Sequence, residues 1–196
     1  MASRQERTDP RVVRSRERVL EAALAELAER GYGGFSIDGV ATRAGVARST
    51  IYRLGHDRLS LVAAAMETLN VQPRPEPGGH DPRADVVAIV SHLAAAMQSS
   101  LMSDCLPAVL DGAERDPGLR ELHHRYSTQR RTRLVEALTR LQESGHVVGD
   151  PERAAEALAG AVFYRRLMTP VPLRTDEVEG LVATVLGEAQ RASQPE

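Results

Sequence analysis

Residues 35–54 of the chain read FSIDGVATRAGVARSTIYRL, and this stretch decides the fold. Its first half places apolar residues at the spacing of one helix face, namely Ile37, Val40, Ala41 and Ala44. Ser36 precedes this face with the side chain of a helix cap, and Asp38 suits the positive first turn. Gly45 follows it and tolerates the left-handed backbone of a tight turn. The stretch therefore predicts two short helices that meet at a three-residue corner, 45–47.

The second short helix, predicted over residues 48–54, has an apolar side and a polar side. Its apolar side is Val46, Ile51 and Leu54, and its outer face carries Arg48, Ser49, Thr50, Tyr52 and Arg53. Arginine binds guanine edges or phosphates, hydroxyl groups donate to either, and tyrosine reaches a phosphate or a thymine methyl group. Two short helices joined by a glycine-containing turn form the helix-turn-helix arrangement, whose second helix reads the major groove of DNA.

The rest of the chain also predicts helices. The 196 residues contain no lysine, 25 arginines, abundant alanine and six aromatic residues, a composition that favours helices over strands. Apolar periodicity and three Asp-Pro start signals predict nine helices and no strand. The expected ranges are 12–30, 37–44, 48–54, 58–70, 82–102, 104–114, 117–144, 151–168 and a last helix capped by Thr175. We therefore expect an all-α protein.

Several protein classes are disfavoured by the same sequence. No run approaches the roughly 20 apolar residues of a membrane helix, and the arginine-rich beginning lacks the apolar core of a signal peptide. Cys105 is the only cysteine, which excludes an internal disulfide and a cysteine-based zinc site. The six histidines have no metal-binding spacing, and no catalytic or nucleotide-binding motif occurs. We expect a cytoplasmic protein that is not an enzyme, needs no metal or cofactor and does not enter a membrane.

Charge is divided unevenly along the chain, although the net charge is −2. Residues 1–60 hold eleven arginines against eight carboxylates, whereas residues 61–196 hold fourteen against nineteen. A basic N-terminal segment followed by an acidic remainder indicates that the N-terminal end binds a polyanion. The first arginines are either an arm that reaches DNA or a solvated tail, and they are Arg4, Arg7, Arg11 and Arg14.

The stretch 35–54 resembles the DNA-binding signature of TetR-family (tetracycline-repressor-like) transcriptional regulators. The preceding residues 28–32, Ala-Glu-Arg-Gly-Tyr, are similar to that family too, as are the start of the fourth helix and the length near 200. Residues 160–173 resemble the C-terminal region of one TetR subgroup. The resemblance implies a nine-helix fold with an N-terminal three-helix helix-turn-helix domain, 1–56, and a helical ligand-binding and dimerisation domain, 57–196.

The resemblance also implies roles for individual residues. Thr42 and Arg43 are expected near the DNA backbone, and Arg58 is expected on a phosphate at the start of the fourth helix. The complete predicted DNA-binding set is Thr42, Arg43, Arg48, Ser49, Thr50, Tyr52, Arg53 and Arg58. The alternative, an ordinary helical corner, is disfavoured because the glycine corner adjoins an arginine-bearing face.

The body of a TetR-like protein generally binds a small molecule, and several residues here are candidates to contact one. They are His92, Met97, Leu101, Met102, Leu106, His123, Tyr126, Phe163 and Tyr164. The apolar members serve equally well as core residues, and the histidines equally well as hydrogen-bonded structural groups.

The last two helices carry apolar stripes for which two interpretations stay open. In TetR-like proteins the corresponding helices pair with those of a second copy as a four-helix bundle, whereas the alternative is packing within one chain. We expect a dimer, because one half-motif binds DNA too weakly for specificity. The predicted interface is Ala155, Leu158, Val162, Val178, Leu181, Val182, Val185 and Leu186.

These features together predict a ligand-responsive transcriptional regulator. The expected form is a homodimeric repressor that a small molecule releases from a pseudo-palindromic operator. Its expected partners are double-stranded operator DNA, a second copy of the chain and a small-molecule effector. The alternatives are an all-helical small-molecule-binding protein and a protein-interaction adaptor, neither of which binds DNA.

Overall fold

The computed structural model describes residues 10–70, 75–98 and 100–187, and these residues form helices without any strand. The α-helices of the described residues are α1 (Pro10–Gly34), α2 (Ile37–Ala44), α3 (Arg48–Arg53), α4 (Arg58–Asn70), α5 (Pro82–Gln98), α6 (Leu101–Arg115), α7 (Pro117–Glu143), α8 (Pro151–Met168) and α9 (Val178–Val185). This arrangement confirms the predicted all-α fold with nine helices. Within the same residues no single helix is long and apolar enough to cross a membrane, and α5 with α6 passes that test only as a bent pair.

The chain divides into two compact units, each assembled from two separate parts of the sequence. The first unit is Met1–Gln72 with Asp104–Leu122, and the second is Pro73–Ser103 with His123–Glu196. The first unit therefore contains the helix-turn-helix, α4, most of α6 and the first turn of α7. The functional boundary predicted between residues 56 and 57 stays a prediction.

The first unit is built around α1, which packs against both α2 and α4. The core of this unit includes Leu27 of α1, Val40 of α2, Ile51 of α3 and Leu61 of α4, none more than 1% exposed. Gly31 has φ 66° and ψ 171°, so regular helix ends at residue 30, as the sequence predicts. The packing fixes the position of the helix-turn-helix on α1.

The second unit is built around α5, which packs against α8 and α9, while α8 also contacts α9. Its core contains Val86, Val90 and Ala94 of α5, Leu158 and Val162 of α8, and Val178 and Val182 of α9, all fully buried. Asp150 caps α8, as predicted, by accepting a hydrogen bond of 3.0 Å from the backbone N–H of Glu152.

This packing changes the interpretation of the predicted dimer interface. Six of its eight positions are 0 to 5% exposed inside the chain's own second unit, namely Ala155, Leu158, Val162, Val178, Val182 and Leu186. Leu181 and Val185 are half-buried. Packing of α5 against α8 and α9 therefore buries most of the stripe within one chain. The predicted dimer interface stays a prediction, and Leu181 and Val185 are its members with surface left to contact a second copy.

The helix boundaries that differ most from the prediction lie between α5 and α6, where α6 begins at Leu101 and not at residue 104, and at the start of α9. The helix expected over 82–102 ends at Gln98, because Ser100 caps α6 by accepting a hydrogen bond of 3.2 Å from the N–H of Ser103. The expected cap Thr175 is instead the first residue of a 3-10 turn, Thr175–Glu177, that precedes α9. There the Glu177 carboxylate accepts a 2.8 Å hydrogen bond from the N–H of Arg174.

Candidate nucleic-acid interface

The corner between α2 and α3 is fixed at both ends of α2. Ser36 Oγ accepts a hydrogen bond of 3.0 Å from the N–H of Gly39, which confirms the predicted cap. Gly45 has φ 63° and ψ 41°, the left-handed conformation that the sequence predicts. At this corner the guanidinium of Arg18, on α1, donates to the carbonyl oxygens of Ala44 and Gly45. Arg18 thus satisfies carbonyls that the end of α2 leaves without helical partners.

Helix α3 is held on the core by a single fully buried side chain, Ile51, at 0% exposure. Val46 and Leu54, the other predicted anchors, are half-buried. Because this helix is only Arg48–Arg53, its remaining side chains point away from the core. Arg48, Ser49, Tyr52 and Arg53 are all exposed, and Thr50 is half-buried.

Arg48 and Tyr52 form a joined polar group on the outer face of α3. The Arg48 Nη2 and Nε atoms lie 2.9 and 3.2 Å from Tyr52 Oη, and Tyr52 is 49% exposed. Arg48 Nη1 also donates to Asp38 Oδ2 of α2 over 3.1 Å. The bond to Tyr52, followed by the charge of Asp38, raises the pKa of Arg48, so the guanidinium stays cationic. The guanidinium of Arg48 and the hydroxyl of Tyr52 are thus held together as hydrogen-bond donors that suit a phosphate or a base edge.

Arg43 lies at the end of α2 and is already bound to carboxylates of α1. Its guanidinium makes a two-pronged ion pair with Glu29, with one N···O distance of 3.0 Å, and lies 3.7 Å from Glu26. Glu26 is only 4% exposed and so is a buried charge. The bond to Glu29 is the main reason that the pKa of Arg43 is raised. Contact of Arg43 with a phosphate therefore has to compete with Glu29.

Thr42, the neighbouring predicted contact, is exposed, and its hydroxyl donates to the carbonyl of Asp38 over 2.9 Å. Thr42 and Arg43 both line an open groove between the end of α1 and α2. The other lining residues are Glu26, Arg30, Gly34, Ser36, Asp38 and Gly39.

Arg58, the residue predicted to contact a phosphate at the start of α4, is exposed and contacts the end of α1. Its guanidinium lies 4.4 Å from the ring centroid of Tyr32 and donates to the Tyr32 carbonyl oxygen. The Tyr32 hydroxyl in turn donates to Asp116, the residue before α7, over 2.6 Å. Arg58 therefore links α4 to the end of α1, a contact that no local pattern in the sequence could reveal.

The candidate effector residues are only partly brought together. In the second unit, Met97 is 2% exposed and Tyr126 Oη lies 3.6 Å from Met102 Sδ. His92, His123 and Phe163 are half-buried, and burial followed by the charge of His124 lowers the pKa of His123. Leu101 and Tyr164 are exposed, and Leu106 lies in the core of the first unit.

Sequence reasoning missed three residues of the second unit beside Met102 and Tyr126. Ser103 is 2% exposed, Arg166 donates to its hydroxyl and carbonyl oxygens, and Arg130 donates to Tyr126 Oη over 2.6 Å. The Tyr126–Arg130 spacing of four residues on α7 is the one sequence signal that could have found this group. In the described parts of the chain, no three His, Cys, Asp or Glu residues lie together as a metal site.

Comparisons with known proteins match both units of the chain. A family model described as bacterial regulatory proteins, tetR family, matches residues 19–54, and one described as tetracyclin repressor-like, C-terminal domain, matches residues 76–185. The HTH-type transcriptional regulator YdeS of Bacillus subtilis is 24% identical over 190 residues, which cover 95% of this chain and 96% of YdeS.

Solved structures have the same fold. The TetR family transcription regulator SCO0332 is 26% identical with a TM-score of 0.63, over 88% of this chain and 97% of that one. AibR, solved with isovaleryl coenzyme A and operator DNA, has a TM-score of 0.67 at 16% identity, over 88% and 98% of the two chains. Since the C-terminal family model alone spans more than half of the sequence, the chain belongs to the TetR family of helix-turn-helix transcriptional regulators.

Proposed function

We propose that the protein is a homodimeric repressor that binds a pseudo-palindromic operator and leaves it when a small molecule binds the second unit. The observation that carries this proposal is the exposed Arg48–Tyr52 pair on α3, a helix anchored by Ile51 alone. Arg48, Ser49, Thr50, Tyr52 and Arg53 would enter the major groove, with Thr42 and Arg43 near the backbone. Arg58 would reach a phosphate only by leaving Tyr32.

A dimer is supported by an apolar surface on α8 that the described residues leave uncovered. Three large side chains are exposed there, Tyr164 at 61%, Leu167 at 40% and Met168 at 72%. Ala157 and Gly160 are exposed on the same face, at the three- and four-residue spacing of one helix stripe. Exposed apolar stripes of this kind mark interaction surfaces. A second copy of the chain would cover this one and place two α3 helices at half-sites about 34–36 Å apart.

The response to a small molecule is supported by the relatives of the same fold. AibR was solved with both isovaleryl coenzyme A and operator DNA, and another matched structure is the flavonoid-responsive regulator FrrA. An effector acts on DNA binding only if it prefers the conformation with low operator affinity. Such a role is that of a cytoplasmic regulator and not of an enzyme.

The test of DNA binding is a double variant of the exposed pair, Arg48→Ala with Tyr52→Ala. Sites are first selected from a random duplex library with the wild-type protein, and affinity is then measured by fluorescence anisotropy at fixed salt. Loss of two base or phosphate contacts is expected to weaken binding about 100-fold or more. The matched control Arg125→Ala removes an exposed arginine of α7, outside both α3 and the exposed stripe of α8, and is expected to bind normally.

Unchanged affinity of the double variant, with normal unfolding behaviour, would refute the assignment of α3. The dimer is tested separately by sedimentation of Tyr164→Glu, which places a charge in the centre of the exposed α8 stripe. We expect a monomer with weakened operator binding, whereas the control Arg125→Gln, at an exposed position of α7, stays dimeric. A wild-type protein that sediments as a monomer at all concentrations would reject the dimer.

A further inference from the structure

We infer that the effector of this protein is an anion, a carboxylate or phosphate on an apolar body, bound by Arg130 and Arg166 beside Tyr126 in the second unit. This inference rests on the proposed function and specifies the chemistry of its effector. It comes from a difference between these two arginines and the others on the same helices.

The half-buried arginines of α7 and α8 fall into two groups. Four of them have a carboxylate partner in the second unit: Arg131 with Glu152 at 3.4 Å, Arg133 with Glu76 at 2.8 Å, Arg140 with Asp85 at 2.7 Å and Arg165 with Glu177 at 3.6 Å. Arg130 and Arg166 are half-buried as well. Among the described residues, no carboxylate oxygen lies within the 4.0 Å of an ion pair from either guanidinium. Two positive charges are thus left without neutralisation.

The hydrogen bonds of these two groups are also incomplete. A guanidinium has five N–H donors. Arg166 uses two of them, on the Ser103 hydroxyl and carbonyl oxygens, and Arg130 uses one, on Tyr126 Oη. The remaining donors have no acceptor among the described residues. Partly buried charges normally have paired hydrogen-bond partners, so this arrangement indicates a missing acceptor.

Consecutive residues of α6 place the two arginines in one neighbourhood. Tyr126, which accepts from Arg130, lies against Met102, with Oη 3.6 Å from Sδ. The next residue, Ser103, is the partner of Arg166 and also donates to the carbonyl of Met97 over 3.1 Å. Ser103 and Met97 are each 2% exposed, so the groups that support Arg166 are buried.

The surroundings specify the rest of the ligand. Thioether side chains adapt to irregular apolar shapes. Met102 contacts Tyr126, the partner of Arg130, and the Met97 carbonyl accepts from Ser103, the partner of Arg166. Forked guanidinium donors match the geometry of a carboxylate or a phosphate, which share this recognition chemistry. A neutral molecule of the same shape would leave both charges unneutralised and would bind more weakly.

The experiment compares three probes of one chain length, octanoate, octyl phosphate and 1-octanol, by isothermal titration calorimetry. We expect wild-type protein to bind at least one of the two anions at least tenfold more tightly than 1-octanol. The two anions decide whether the favoured head group is a carboxylate or a phosphate. The same titrations are made on Arg130→Gln, Arg166→Gln and the control Arg153→Gln, an exposed arginine of α8 that pairs with Asp150 at 3.5 Å.

Each of the first two variants is expected to lose at least tenfold in anion affinity and to keep its affinity for 1-octanol, while Arg153→Gln behaves as wild type. Arg166→Gln also removes support from Ser103, so thermal unfolding is recorded, and Arg130→Gln tests the inference independently. No anion binding by wild type, equal affinity for anion and alcohol, or anion affinity kept in both variants would overturn the inference. Operator binding of the same wild-type sample separates the two proposals: intact DNA binding without anion preference rejects the effector class alone.

Discussion

The hydroxyl of Tyr32 donates to Asp116 Oδ2 over 2.6 Å, across 84 positions of sequence. The other carboxylate oxygen, Oδ1, accepts the N–H groups of Gly118 and Leu119 at 2.9 and 3.2 Å. One side chain thus caps the start of α7 and holds the end of α1. Because Arg58 lies on the ring of the same tyrosine, Tyr32 contacts both the start of α4 and the start of α7.

Replacing Tyr32 by phenylalanine keeps the buried ring and removes only this hydrogen bond. Since the bond is to a charged acceptor, we expect the free energy of unfolding to fall by about 1.5–3 kcal/mol. Urea unfolding without DNA measures it, and Ser49→Ala, which removes an exposed hydroxyl of α3, is expected to change little. If Tyr32→Phe were as stable as wild type, the contact would have no energetic role.

The same pair predicts a pH dependence on the alkaline side. Burial and then the bond to Asp116 raise the pKa of Tyr32 from 10.0 to about 12. A pKa raised by folding contributes stability that is complete below the unfolded value and is lost as pH rises through the folded one. The stability advantage of wild type over Tyr32→Phe is therefore expected to shrink between pH 10 and 12. Urea unfolding of both proteins at about pH 8, 10 and 11 tests this, and a constant difference would contradict it.

A helix crossing near Tyr32 permits no side chain at Gly112 of α6. A Cβ atom there would lie 2.5 Å from Leu119 Cδ2 and 2.7 Å from Tyr32 Cγ. Gly112→Ala is therefore expected to cost about 1–3 kcal/mol of unfolding free energy by overpacking. Gly180→Ala on α9, where nothing lies within 4 Å of the added atom, is expected to gain about 0.5–1 kcal/mol instead. Thermal or urea unfolding of the two variants shows whether each substitution lowers or raises the free energy of unfolding. Equal effects of the two substitutions would contradict the close packing around Gly112.

The ion pair between Glu29 and Arg43 predicts a gain in DNA affinity when it is broken. Glu29→Gln removes the charge that competes with a phosphate for Arg43, so binding to duplex DNA is expected to tighten. One additional phosphate contact increases the slope of log affinity against log salt by about 1 in magnitude. Fluorescence anisotropy at several salt concentrations measures both quantities. Glu143→Gln at the exposed end of α7 is the control, and an unchanged slope in Glu29→Gln would place Arg43 away from the DNA.

Local signals in the sequence predict the helices and the corner well. Some residues shape the backbone only through hydrogen bonds and backbone angles within three positions of themselves, so the sequence alone is enough to find them. Examples are Ser36, Gly45 and Asp150. The break at Ser100 is hidden in the sequence because an apolar stripe continues across it. Ser100 caps α6 only because of where α6 packs, and the spacing of apolar residues carries no information on that packing.

Long-range pairs could not be predicted from the sequence. Arg18 and Ala44 are 26 positions apart, and Arg166 and Ser103 are 63 apart, with no repeating pattern between them. The apolar stripes of α8 and α9 are visible in the sequence, but periodicity does not say whether α5 or a second copy covers them. The polar face of α3 was easier to recognise, because so short a helix buries only Ile51.

The discontinuity of the first unit has a consequence during synthesis. Helices α1 to α4 leave the ribosome well before residues 104–122, which supply the α6 segment against Tyr32 and the carboxylate of Asp116 that accepts from its hydroxyl. Until that segment emerges, the newly made part of the first unit lacks a portion of its core. A fragment truncated after α4 is therefore expected to fold poorly by itself. The first unit can complete its fold only after the ribosome has translated residues 104–122.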